Sequence, residues 1–159
     1  MPVSKQETLA WMDKELSGAL ALAKRWGFGL DWYPDKLECR ATFTQPQTGT
    51  PFYLLGEFNN YRELPPCWTF TDAAFEQRGR GFIPRPHNQP SDFGSVFHSA
   101  CCICAPFNRR AYKELSGPHG DWGGSAQWLH AAPESAQAHT LGDMLTVVLR
   151  DLRYTQGAL

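Results

Sequence analysis

Near the N-terminus, apolar residues recur at the spacing of an amphipathic helix. The intervals between them are three or four residues, as one helix face requires. These apolar positions are Leu9, Met12, Leu16, Leu20 and Ala23. Ser4, followed by Glu7 three positions later, has the pattern of a capping box. The sequence therefore predicts a helix from Lys5 to Trp26 that ends near Gly27 and packs one face on a sheet.

Between residues 37 and 71 the pattern changes to that of strands. Residues 37–44 alternate between apolar and polar side chains, which is the period of a half-buried strand. Pro46 and Gly49 then mark a turn. Residues 51–58 and 67–71 form two further strand-like runs. Three strands joined by short connections predict an antiparallel meander.

The second half of the chain is irregular until its last helix. Residues 72–96 are rich in Gly and Pro and predict a long loop, which in a compact domain is often functional. Residues 96–104 predict a short extended segment, residues 107–115 a short helix, and residues 116–124 a Gly-rich stretch. Thr140 and Asp143 cap a helix whose apolar residues again have helical spacing. These residues are Leu141, Met144, Leu145, Val148, Leu149 and Leu152. The whole order predicts an α+β fold.

Length and composition predict one globular domain that spans residues 1–159. The hydrophobic fraction is 42% and the charged fraction 19%, as in folded chains. A net charge of −1 provides no basic field for nucleic acid or for an anionic membrane surface. The chain has no apolar run of membrane-spanning length and no signal-peptide pattern, so we expect a cytoplasmic protein.

Five cysteines carry the candidate chemistry: Cys39, Cys67, Cys101, Cys102 and Cys104. An odd number of cysteines without an export signal argues against a disulfide framework. Each thiol is then a core residue, a metal ligand or a nucleophile. The alternation around Cys39 and Cys67 predicts that both lie in the core. On an extended segment, Cys102 and Cys104 would share one side.

Two segments resemble ubiquitin-conjugating (E2) enzymes. Phe58-Asn-Asn-Tyr61-Arg-Glu-Leu-Pro65-Pro66 resembles the E2 turn in which an aromatic residue, a tyrosine and a proline pair lead into the next strand. Cys102-Ile103-Cys104 resembles the approach to the E2 active cysteine. Trp128 and the closing helix follow, as they do in that family. The resemblance implies a UBC-like fold with an N-terminal helix, a β-meander, an irregular active-site region and a C-terminal helix.

The resemblance also implies a function and partners. An E2-like carrier accepts a ubiquitin-like modifier from an E1-like activating enzyme as a cysteine thioester, and transfers it to a target amine without a cofactor. The chain departs from eukaryotic E2 enzymes because it has no His-Pro-Asn tripeptide before the cysteine. In this respect it is more similar to divergent bacterial E2-like proteins. Those proteins are encoded beside E1-like, ubiquitin-like and JAB-type peptidase partners, often in antiviral defence operons.

On this interpretation Cys104 is the nucleophile and Cys102 its main rival. Arg109 and Arg110 follow closely and would favour the Cys104 thiolate, which is the attacking species. Transfer develops negative charge on the carbonyl oxygen, and loss of one donor to it typically costs about 100- to 1000-fold in rate. The candidate donors are Asn108, His98 and Asn88. The candidates to orient or deprotonate the incoming amine are Asp121 and His119.

Two alternatives remain open on the sequence alone. The first is a non-catalytic scaffold of the same fold that binds a ubiquitin-like protein or an E1-like partner. The second is a Cys/His metal site, which we do not expect because the chain lacks the paired Cys-x-x-Cys spacing of structural zinc. The ligands considered for it are Cys101, Cys102, Cys104, His98, His119 and His130.

Overall fold

The computed structural model describes residues 2–88, 94–98, 102–114, 122–130 and 137–159. It has the predicted α+β class, with an N-terminal helix, a four-stranded antiparallel sheet and a C-terminal helix. Asp121, His119 and Cys101 lie outside the described residues, and so does most of the Gly-rich stretch 116–124. None of the helices within the described part of the chain is long and apolar enough to cross a membrane.

Helix α1 spans Lys5–Trp26, as predicted, and both of its ends are fixed by local contacts. The Ser4 hydroxyl accepts the Glu7 amide, and a Glu7 carboxylate oxygen accepts the Ser4 amide at 2.8 Å, which completes the capping box. Gly27 ends the helix in the left-handed conformation with a φ of 73°. The residues of α1 that are buried under the sheet and the closing helix are Thr8, Met12, Ala19 and Ala23.

The sheet has four strands, in the order β1 (Gly29–Tyr33), β2 (Glu38–Thr44), β3 (Pro51–Glu57) and β4 (Cys67–Thr71). All neighbouring pairs are antiparallel. The predicted meander is confirmed, but the prediction of three strands was wrong because it missed β1. That strand has five residues, and only Leu30 among them is buried, so its apolar pattern is too short to stand out.

One face of the sheet forms the core. Cys39 is fully buried there, as predicted. Gly56 of β3 lies under the ring of Trp68, because a Cβ at Gly56 would lie 2.5 Å from the Trp68 ring. Glycine is thus required for the close approach of this indole to the strand. Cys67 points to the opposite face and is only half-buried, so the prediction that it lies in the core was wrong.

The segment between β3 and β4 ties three parts of the fold together. The Tyr61 ring is fully buried, and its hydroxyl donates to Glu15 of α1 at 2.8 Å. The same carboxylate accepts the backbone N–H of Leu141, the first residue of the C-terminal helix, at 2.8 Å. The Tyr61–Arg62 peptide bond is cis. Pro65 and Pro66 then lead into β4.

The sequence predicted that residues 96–104 form one extended segment, and this prediction was wrong. They form an antiparallel pair of short strands, β5 (Phe97–His98) and β6 (Cys102–Ile103). The Phe97 ring packs on Phe70 of β4, with ring centroids 5.7 Å apart. The chain therefore turns back on itself before it reaches Cys104.

Helices α2 and α3 and a 3₁₀ helix between them follow the hairpin in the described part of the chain. Helix α2 spans Arg109–Glu114 and begins two residues later than predicted, because the Asn108 side chain caps it by accepting the Arg110 amide. A 3₁₀ helix at Ser125–His130, which the sequence did not predict, carries the buried packing residue Trp128. Helix α3 spans Leu141–Leu152, and its predicted cap is confirmed, since Thr140 accepts the Asp143 amide.

Candidate active-site cysteine

Cys104 lies directly after β6, at the end of the hairpin. Its backbone N–H donates to the carbonyl of Val96 at 2.7 Å, which continues the pairing of β5 and β6 by one residue. Its side chain is half-buried and packs on a small apolar cluster. The other members of that cluster are Cys102, Ala111, Tyr112 and Trp122. The thiol thus has some access to solvent and an aromatic wall beside it.

The two described cysteines of the hairpin lie in this one cluster but differ in exposure. Cys102 is 3% exposed, whereas Cys104 is the more accessible thiol. A nucleophile has to be reached by its electrophile. Among the described cysteines of the hairpin, Cys104 is therefore the better placed for attack on a bulky thioester.

Burial, not a nearby positive charge, is what shifts the pKa of Cys104 among the described residues. Burial raises the pKa of the Cys104 thiol above its ordinary value. The sequence predicted that Arg109 and Arg110 would favour its anion, and this prediction was wrong. Burial also raises the pKa of Cys67. There Arg110 opposes the effect of burial by its charge and by a hydrogen bond, and the charge of Arg109 lowers the pKa by a smaller amount.

Arg109 has a structural role at the start of α2. Its backbone N–H donates to the Pro66 carbonyl at 2.9 Å and its Nε to the Pro65 carbonyl at 3.0 Å. Its guanidinium also donates to the Asn59 carbonyl. The first turn of α2 is thereby fastened to the proline-rich connection, and its positive charge faces β4 instead of the hairpin.

Asn108 is fully buried and holds three backbone segments together. Its Oδ1 accepts the Trp68 N–H at 2.9 Å and the Arg110 N–H at 3.2 Å. Its Nδ2 donates to the Ile103 carbonyl at 2.9 Å. The amide therefore joins β4, β6 and α2, and it is closed to solvent. These contacts oppose the predicted role as donor to a substrate oxyanion and instead make Asn108 part of the framework beneath Cys104.

His98 is the candidate donor that lies on the hairpin itself. It is exposed and lies directly opposite Cys102 in the ladder. Side chains at opposite positions share a face of a strand pair, and the diagonal neighbour lies about 7–8 Å away. His98 is thus one ladder step from Cys104, on the same face. Asn88 is exposed, at the end of the described part of the long loop. Asp121 stays a prediction.

Tyr112 and Trp122, which sequence reasoning did not connect with Cys104, belong to the same apolar cluster. The Tyr112 hydroxyl donates to the Pro106 carbonyl at 3.1 Å, and the ring packs on Trp122 with centroids 5.5 Å apart. Burial raises the pKa of Tyr112 to about 12, so it is a neutral phenol at physiological pH. Helical spacing alone could not place Tyr112 in the same cluster as Cys104, because α2 has only six residues in the described part of the chain.

A metal site has no geometric support within the described residues. No group of three or more His, Cys, Asp or Glu side chains in these parts of the chain is arranged to hold an ion. Cys101 and His119, two of the ligands considered, lie outside them.

Comparison of the chain with protein-family models, with curated proteins and with solved structures finds no match.

Proposed function

We propose that the protein is an E2-like carrier that holds a ubiquitin-like modifier as a thioester on Cys104 and passes it to a target amine. The observation that carries the proposal is the half-exposed thiol of Cys104 at the end of the hairpin, after a proline-paired turn and before a closing helix. That order agrees with a UBC-like fold, of which the α+β class is the coarser description.

The first chemical step is a thioester exchange. The Cys104 thiolate attacks the thioester carbonyl of an E1-like enzyme, a new S–C bond forms, and the E1-like thiolate leaves. In the second step a neutral amine attacks the carbonyl of the Cys104 thioester, a C–N bond forms and the S–C bond breaks, and the departing sulfur takes up the proton that the amine loses. Burial raises the pKa of this thiol, which disfavours both its attack as a thiolate and its departure as one in the free protein. Activation therefore falls to the bound partner.

The proposed partners are those of a bacterial conjugation pathway. They are an E1-like activating enzyme, a ubiquitin-like modifier, and a JAB-type peptidase that removes the modifier again. An antiviral role belongs to the same proposal. The support for these partners is the sequence resemblance.

A scaffold of the same fold is the alternative, and two observations favour it. Asn108 is committed to backbone contacts, and no arginine of α2 lowers the pKa of Cys104. A non-catalytic protein would bind a ubiquitin-like protein or an E1-like partner through its surface without a covalent bond.

Thioester formation separates the two functions. The purified protein is incubated with an E1-like enzyme, a ubiquitin-like modifier and ATP, and adducts are resolved on gels with and without reductant. We expect a reductant-sensitive adduct, which Cys104→Ser converts to a reductant-resistant ester. Cys39→Ser is the control, because that thiol is fully buried in the sheet.

Each other outcome has a defined meaning. An undiminished thioester in Cys104→Ala would transfer the role to Cys102 or to another cysteine. Binding of the modifier or of the E1-like enzyme without any adduct would establish the scaffold function in place of the carrier.

A further inference from the structure

Asp151 is an exception on the buried face of α3. The other buried residues of this helix are apolar: Leu141, Met144, Leu145, Val147, Val148 and Leu152. Asp151 is 0% exposed and lies in the last turn, where the helix dipole disfavours negative charge. A buried carboxylate is costly unless it is paired and hydrogen-bonded. Its contacts therefore need an explanation.

Two hydrogen bonds in series join this carboxylate to Cys104. An Asp151 oxygen, Oδ2, accepts the Val96 N–H at 2.6 Å. The carbonyl of the same Val96 accepts the Cys104 N–H at 2.7 Å. Val96 is 2% exposed, so both bonds are made inside the protein. The position of the Cys104 backbone is thus connected to α3 through a single residue.

Two further side chains lie close to the Asp151 carboxylate, and they come from different parts of the chain. The Nε2 atom of His87, in the long loop, lies 3.6 Å from Oδ2, and its imidazole is buried against the Tyr154 ring. Arg150 Nε lies 3.4 Å from Oδ1 on the helix itself. The carboxylate thereby joins the long loop, the hairpin and α3 at one buried point.

We propose that Asp151 is a positioning residue for Cys104: by holding Val96, it fixes the hairpin so that the Cys104 thiol stays half-buried. The biological meaning rests on the proposed function, but the positioning itself does not. If the Val96 N–H loses its acceptor, the hairpin opens locally more often and the thiol becomes more accessible.

The test is the native-state rate at which iodoacetamide alkylates Cys104, measured residue by residue by peptide mass spectrometry. Asp151→Leu completes the apolar face of α3 but removes the acceptor. We expect alkylation of Cys104 to become about tenfold faster. Loss of a hydrogen bond to a charged group raises the population of the locally open hairpin by about that factor, and the thiol reacts faster in the open form. Asp151→Asn keeps an acceptor oxygen and should restore a rate within about twofold of the unmodified chain.

Val147→Ala is the matched control, since it removes buried volume from the same helix and leaves the acceptor in place. It should lower the unfolding midpoint without changing the Cys104 rate. An equal acceleration in Val147→Ala and Asp151→Leu, or an Asp151→Asn rate as fast as that of Asp151→Leu, would overturn the proposal.

If Asp151→Leu does not fold, amide hydrogen exchange of the unmodified protein decides. The Val96 and Cys104 amides should then exchange through one common opening, with protection factors within about threefold, and unrelated protection factors would overturn the positioning role. Failure of the carrier function is distinguishable, because it abolishes the adduct with the modifier and leaves the alkylation pattern intact.

Discussion

At the scale of single residues, the two half-buried thiols that lie near α2 differ in the charges around them. Cys67 lies beside Arg110 and Arg109, with Glu57 opposite it in the ladder. Cys104 packs on the apolar cluster of Cys102, Ala111 and Trp122, and burial raises the pKa of its thiol. Their closeness in sequence predicted that the two arginines would stabilise the thiolate of Cys104. The hydrogen bond of Asn108 to β4 directs the first turn of α2 to Cys67 instead.

Replacement of Arg110 tests this assignment of charge. In Arg110→Gln we expect the pH midpoint of Cys67 alkylation to rise, because the guanidinium is what opposes the effect of burial on the pKa of that thiol. The midpoint for Cys104 should not move. Both are measured from iodoacetamide rates between pH 7 and 10.5, resolved by peptide mass spectrometry. Arg85→Gln, which replaces an exposed arginine far along the chain, is the control.

The contrary result is equally clear. A shift of the Cys104 midpoint with an unchanged Cys67 midpoint would show that Arg110 lowers the pKa of Cys104, as the sequence predicted, and not that of Cys67.

At the scale of elements, Asn108 decides how the hairpin, α2 and β4 fit together. We expect Asn108→Ala to lower the free energy of unfolding by about 2–4 kcal/mol, because it leaves a buried N–H and a buried C=O unpaired and removes a helix cap. Chemical denaturation followed by tryptophan fluorescence measures the loss. Asn88→Ala, at an exposed position in the long loop, should stay within about 0.5 kcal/mol of the unmodified chain.

An oxyanion donor would behave differently from a framework residue. If Asn108→Ala kept its stability and slowed only the discharge of a modifier from Cys104, the side chain would be acting on the substrate, contrary to its buried contacts.

The elements that local sequence determines were predictable. Helices α1 and α3 begin at Ser4 and Thr140 caps whose partners lie three residues away, so their bounds follow from the sequence. The hairpin was not predictable, because the contacts that fix its reversal come from distant segments. Val96 is held by a carboxylate 55 residues further on. The role of Asn108 likewise depends on Trp68, 40 residues before it.

At the scale of the whole molecule, one carboxylate joins the two long helices and the proline-rich connection. Glu15 accepts the Tyr61 hydroxyl and the Leu141 N–H, each at 2.8 Å, and Arg62 Nε lies 3.5 Å away. Arg62 in turn stacks between the rings of Trp11 and Trp128. Glu15 thus connects α1, on which it lies, to the first residue of α3, the helix that carries Asp151. The position of α3 behind the hairpin therefore depends on this carboxylate.

Burial raises the pKa of Glu15 above its ordinary value, against the hydrogen bonds and the Arg62 charge, which act to lower it. The folded protein therefore binds this proton more tightly than the unfolded chain, and the contribution of Glu15 to stability falls as pH rises from the unfolded-state pKa through the folded one.

Glu15→Gln, which is uncharged and keeps an acceptor oxygen, should lack this fall. Relative to the unmodified chain, its unfolding midpoint in urea should therefore improve between pH 4 and 7. Glu15→Ala should be destabilised throughout that range, because the Leu141 N–H and the Tyr61 hydroxyl lose their acceptor. A stability difference between Glu15→Gln and the unmodified chain that grew in the opposite direction with pH would mean that the ion pair with Arg62, not burial, dominates at this junction.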